Sequence, residues 1–94
     1  MTIHLARREA AMFAYDLRGR SAVLRQRASA EGQFSVRRLQ EDIVRLADIA
    51  EHQLGFDPML HSHLAVVRSR AMERRLLAAL DCLDAAIHQC ESHH

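Results

Sequence analysis

Apolar residues recur every three or four positions along most of this chain. Ile3, Ala6, Ala10, Phe13, Leu17 and Leu24 fall on one stripe, and the spacing predicts a helix over about 2–28. Arg20 stands on that stripe where Leu or Ala is expected. Its stem can pack at the edge of the seam while its head pairs with Asp16, one turn earlier. The polar run "SAEGQFS", residues 29–35, interrupts the pattern. Gly32 suits the left-handed position that ends a helix, and Ser35 suits the cap that starts the next. Phe34 and Leu39 have the spacing of a hydrophobic staple. Val36, Leu39, Ile43, Leu46 and Ala50 then form a second stripe, which predicts a helix over 36–54.

The third apolar stretch behaves differently. Leu60, Leu64, Val67 and Ala71 make one seam, and Leu76, Leu80, Leu83, Ile87 and Cys90 make another. The two are out of phase by about one residue, so a single helix over 58–90 would bend near 69–75 or turn its halves toward different neighbours. Such a helix would also overhang the second. A second copy of the chain is the simplest cover for overhanging apolar surface.

Between the second and third stripes lies "EHQLGFDPMLHSH", with the chain's only proline and three of its seven histidines. Its pieces read as a helix stop followed by a helix start. Gly55 ends one helix, Phe56 folds back over its last turn, Asp57 caps the next, and Pro58 takes a first-turn position where no N–H is needed. The expected fold is therefore all-α: an antiparallel up-down-up three-helix bundle in a single domain.

Composition agrees with helices. The chain has 94 residues, 49% of them hydrophobic, with only 3 Gly and 1 Pro. The net charge of +1 points to no polyanionic partner. No run approaches the ~20 apolar residues of a membrane span, and Arg7, Arg8, Glu9 and Asp16 break any signal-peptide core, so a cytoplasmic location is expected. Cys82 and Cys90, eight residues apart on one helix, are roughly 12 Å apart and too far for a mutual disulfide. Folding back at Gly55 should set Arg70 and Arg74 opposite Glu41 and Asp42. The basic end of the first helix (Arg18, Arg25, Arg27) should meet Asp81 and Asp84.

Three kinds of chemistry have candidates. His88, Cys90 and His93 near the C-terminus, with His52 and His61 beside the Gly55 turn, are of metal-binding type. Against this, Cys90 continues the apolar seam and points away from His88. His61 and His63, two apart, point to different faces. Arg18, Arg20, Arg25, Arg37 and Arg38 could follow a phosphate backbone. The aromatic platforms of single-strand binders are missing, and the third helix opens with Met59 and Leu60 rather than polar residues. Phosphotransfer on His52 is disfavoured, because it stands at a helix end. Catalysis has no motif: the chain shows no nucleophile elbow, phosphate loop or metalloprotease signature, and no cofactor is expected.

What remains is protein binding. Long amphipathic helices and a drifting third seam suggest an adaptor, small chaperone or regulatory subunit, acting as a dimer. The expected interface is Met72, Leu76, Leu77, Leu80 and Leu83, with Leu77 set among Arg70, Arg74, Asp81 and Asp84.

Overall fold

A computed structural model describes residues 2–30, 35–54 and 58–92, with side chains from 11 to 89 within those ranges. These residues form four helices and no strand: α1 (Thr2–Ser29), α2 (Val36–Leu54), α3 (Pro58–Met72) and α4 (Leu76–Ser92). The all-α class and the bounds of the first two helices match the apolar stripes. Ser35 caps α2, with its carbonyl bound by the amide of Leu39 at 3.1 Å and its hydroxyl facing the amide of Arg38 at 3.4 Å. Pro58 opens α3. The expected roles of Gly32, Phe34, Gly55, Phe56 and Asp57 fall outside the described residues.

The three-helix count is corrected. The expected helix 58–90 is two helices that reverse direction at Glu73–Arg75. The reversal is a complete Schellman turn. The amide of Arg75 donates to the carbonyl of Arg70 at 2.9 Å, and that of Arg74 to the carbonyl of Ala71 at 3.0 Å. Arg74 sits at φ 65°, the left-handed position usually given to glycine. The carbonyl of Arg75 accepts the amide of Ala79 at 2.9 Å, which starts α4 at once. The two out-of-phase seams supply the physical reason. Breaking the helix lets Leu60, Leu64, Val67 and Ala71 face the core together with Ala79, Leu80, Leu83, Ala86 and Ile87.

Each helix runs antiparallel to the next. Arg27 meets Asp42 at 3.7 Å, tying the end of α1 to the start of α2. His61 meets Glu51 across the α2–α3 junction. Gln89 Nε2 donates to Met59 Sδ at 3.4 Å, tying the end of α4 to the start of α3. Arg25 meets Asp81 and Asp84 at 2.8 and 2.7 Å, so α4 closes the ring against α1. The pairing of Arg25 with these carboxylates was expected, but the reversal at Arg74 is what delivers them.

The overhang is also relocated. The register of Arg27 with Asp42 and of Arg25 with Asp84 brings the last residues of α2 and α4 level with about residue 15 of α1. Roughly the first dozen residues of α1, ~18 Å at ~1.5 Å per residue, therefore run past both neighbours. The molecule is 49 Å long, whereas α2 with 19 residues spans only ~28 Å.

The inner face of α1 passes through Ala14, Leu17, Ser21 and Leu24, so Ser21 rather than Arg20 occupies the seam. Arg20 lies outside it, exposed and 3.1 Å from Asp16. Ser21 is 1% exposed, and its hydroxyl donates to Asp84 Oδ1 at 2.6 Å. A buried hydroxyl needs such an acceptor, and α4 supplies it.

Candidate protein interface

The α3–α4 turn leaves the last carbonyls of α3 without helical partners. Gln40, from α2, reaches across to them: its Nε2 donates to Ala71 O at 2.7 Å and to Met72 O at 3.3 Å. This fixes the end of α3 against α2. Beside the junction runs a groove of about 620 Å³, lined by Arg37, Gln40, Glu41, Val44, Arg45, Asp48, Met72 and Arg74.

Met72 is 69% exposed at the lip of this groove, and Val44 is half-buried. The carboxylates of the groove are already engaged. Glu41 faces Arg37 at 3.6 Å, and Asp48 accepts from Arg68 at 2.8 Å. Arg45 and Arg74 have no ion-pair or hydrogen-bonding side-chain partner among the described residues. The unspent charge of the groove is therefore positive, set against apolar surface. Nearby, Arg70 Nε is buried without a hydrogen-bond partner among the described residues. Arg70 and Arg74 do not meet Glu41 and Asp42 as the sequence led one to expect, because Arg27 takes Asp42 and Arg37 takes Glu41.

Further along the α2–α3 seam, Arg68 reaches Asp48 at 2.8 Å and Glu51 at 2.7 Å, and Glu51 also faces His61 Nδ1 at 2.5 Å. The hydrogen bond from His61, then that from Arg68, holds the Glu51 carboxyl below its ordinary pKa. Partial burial of Arg68 works against its charge, but Glu51 and Asp48 outweigh this and hold its pKa above the usual value. Hydrogen bonds to Asp84 and then Asp81 raise Arg25 likewise.

The expected interface residues separate into two groups. Met72 and Leu77 are in solvent, Leu77 at 45% exposure. Leu76 is half-buried against the core, and Leu80 and Leu83 are fully buried in it. Those last two cannot present a surface: with the helix broken at Arg74, they line the interior of this chain's own bundle. Val44, Arg45 and Arg74 were not among the expected interface residues. Their signal in sequence is faint: only the α2–α3 register brings Val44 and Arg45 to Met72, and the left-handed turn at Arg74 carries no glycine to mark it.

The metal candidates gather less closely. His52, His61, His63 and His88 stand on helix ends at the pole opposite the α3–α4 turn, but no three His, Cys, Asp or Glu residues form a metal-holding group among the described residues. The Cys90 side chain and His93 lie outside that description. The basic strip is largely engaged in place. Arg20 pairs with Asp16, Arg25 with Asp81 and Asp84, and Arg37 with Glu41, while Arg18 lies 6.0 Å from the Tyr15 ring centre. Arg38 alone has no side-chain partner among the described residues. No described helix is long and apolar enough to cross a membrane.

Comparisons with protein-family models, curated proteins and solved structures find no match to this chain.

Proposed function

We propose that this chain is a helical protein-interaction module, an adaptor, small chaperone or regulatory subunit, whose partner seats in the α2–α3 groove over Met72. The observation that carries this reading is Met72. It is a large, adaptable apolar side chain held in solvent beside a groove, on a backbone fastened by Gln40. Methionine suits such a role because its thioether conforms to varied partners. Binding fits the electrostatics better than catalysis does. The shifted groups Glu51, Arg68 and Arg25 are all driven toward their charged forms by ion pairs. A general acid or base at neutral pH needs the opposite displacement.

The test is a photo-crosslinking residue placed at position 72, in the cell that makes the protein, with exposed Ala65 as the control position. A discrete adduct at 72, identified by mass spectrometry and re-formed from the two purified proteins, supports the reading. Equal labelling at 72 and 65 overturns it.

A second copy is proposed as a further partner, at the opposite pole. The projecting half of α1 favours it, since Met12 and Tyr15 are 70% and 74% exposed at the base of the projection. Light scattering on the purified chain measures this directly. A monomeric mass at high concentration removes it.

A further inference from the structure

The groove also specifies the chemistry of its occupant. We infer that it takes an acidic amphipathic segment of another protein, with an apolar side chain against Met72 and Val44 and carboxylates on Arg45 and Arg74. This rests on the interaction-module reading and adds the partner's charge and pattern.

Charge complementarity makes the first argument. Three charged groups of the groove are already matched, Arg37 with Glu41, and Asp48 with Arg68 from outside it. The two left over, Arg45 and Arg74, are both guanidiniums, and a guanidinium presents a planar fork that fits a carboxylate. The apolar surface between them excludes a purely ionic ligand, because a phosphate or a lone carboxylate gains nothing from Met72. A nucleic acid is also disfavoured, since no aromatic side chain lines the groove to stack a base.

Backbone strain makes the second argument. Arg74 holds φ 65° in a turn where glycine would sit without penalty. Its side chain makes no ion pair among the described residues, so nothing in the described fold uses its guanidinium. A strained residue whose guanidinium pairs with nothing in the described fold points to a role outside the fold. The groove gives it one.

The experiment is a fluorescence-anisotropy titration with a labelled helical peptide, leucines along one face and glutamates flanking them. A copy with every glutamate changed to glutamine, and a single-stranded oligothymidine, serve as parallel probes. The acidic peptide should bind, and the glutamine peptide should bind several-fold more weakly. Arg74→Gly and Arg45→Ala should each weaken the acidic peptide about threefold to fivefold, the range of exposed ion pairs, and raised salt should do the same. Arg74→Lys should recover part of the loss. Amide shifts on titration should map to 37–48 and 71–75. The inference is overturned if the glutamine peptide or the oligothymidine binds as well as the acidic peptide. It is overturned too if Arg74→Gly and Arg45→Ala leave affinity unchanged, or if Arg74→Gly instead changes the mass in light scattering, which would make a second copy the occupant. A protein adduct at position 72 with no acidic-peptide binding would sink this inference and leave the interaction-module reading standing.

Discussion

Arg74→Gly should make the protein more stable. Arg74 sits at φ 65° and closes the Schellman turn by donating its backbone N–H to Ala71 O at 3.0 Å. A left-handed conformation costs a residue with a Cβ roughly 1–2 kcal/mol, which glycine avoids. Glycine's freer unfolded chain takes back about 0.4–1 kcal/mol of that. The exposed side chain of Arg74 makes no ion pair among the described residues, so its removal subtracts little. The net expectation is a gain of about 0.5–1 kcal/mol, or roughly 2–8 °C in melting temperature for a domain of this size. Arg74→Val should act in the opposite direction, because a branched Cβ is still less tolerant of positive φ. Circular dichroism at 222 nm during heating, with urea unfolding as a second measure, reads both. The sign is diagnostic. Were residues 58–90 one continuous helix, glycine at position 74 would be an interior helix residue and would lower stability by about 1 kcal/mol. A lower melting temperature for Arg74→Gly would refute the four-helix reversal.

Leu83→Ala should cost about 2–5 kcal/mol, because the side chain is fully buried, and should show as a lowered urea midpoint with an unchanged slope. Asp84→Ala should destabilise by about 1 kcal/mol, chiefly by stripping buried Ser21 of its acceptor; Ser21→Ala in the same background should then cost less than it does alone. Glu51 has a folded pKa held below its ordinary value of 4.5, so its contribution is present above that value and lost as pH falls through the folded one. Glu51→Gln should therefore melt below the parent protein at pH 7, and the gap should close as the pH falls below the ordinary value and through the lowered folded one; a gap that stays constant with pH would contradict the ion-pair account. Deleting residues 1–11 should leave the melting temperature nearly unchanged, since the register sets the ends of α2 and α4 level with about residue 15 of α1, while abolishing any dimer seen by light scattering.

The first two helices were legible because their boundaries are written in local chemistry. Ser35 caps, Pro58 starts, and the stripe Leu39, Ile43, Leu46 and Ala50 is buried as its spacing demands. The α3–α4 turn was legible only as a drift of phase. "AMERRLL" contains no glycine, proline or asparagine, so the reversal carries none of the usual punctuation. Tertiary gain from burying both seams overrides the local preference of Arg74. That one error displaced the rest. With α3 and α4 joined, Leu80 and Leu83 looked like surplus apolar surface and the overhang fell on the third helix. Once the chain reverses, both leucines are core and the overhang belongs to α1. Met72 and Leu77 kept their exposure under either topology, because they flank the break. The groove itself had no sequence signal. Val44 and Arg45 meet Met72 and Arg74 only through the α2–α3 register, which Gln40 fixes to Ala71 and Arg68 to Asp48, positions 31 and 20 apart in the chain.

The same reversal separates the two proposed surfaces. α3 begins at the pole where α1 projects and ends at the pole where Met72 meets the groove. On a molecule 49 Å long, occupants at opposite poles have no shared residues. Direct competition between them is excluded on geometry, and coupling would have to pass through the packed core. Charge follows the same axis. Arg37, Arg38, Arg45, Arg74 and Arg75 stand toward the groove pole, whereas His52, His61, His63 and His88 stand toward the other. Guanidinium stays charged across the physiological range. Acidic-peptide binding at the groove should thus answer to salt and little to pH, because the groups that hold the peptide do not change protonation near neutrality.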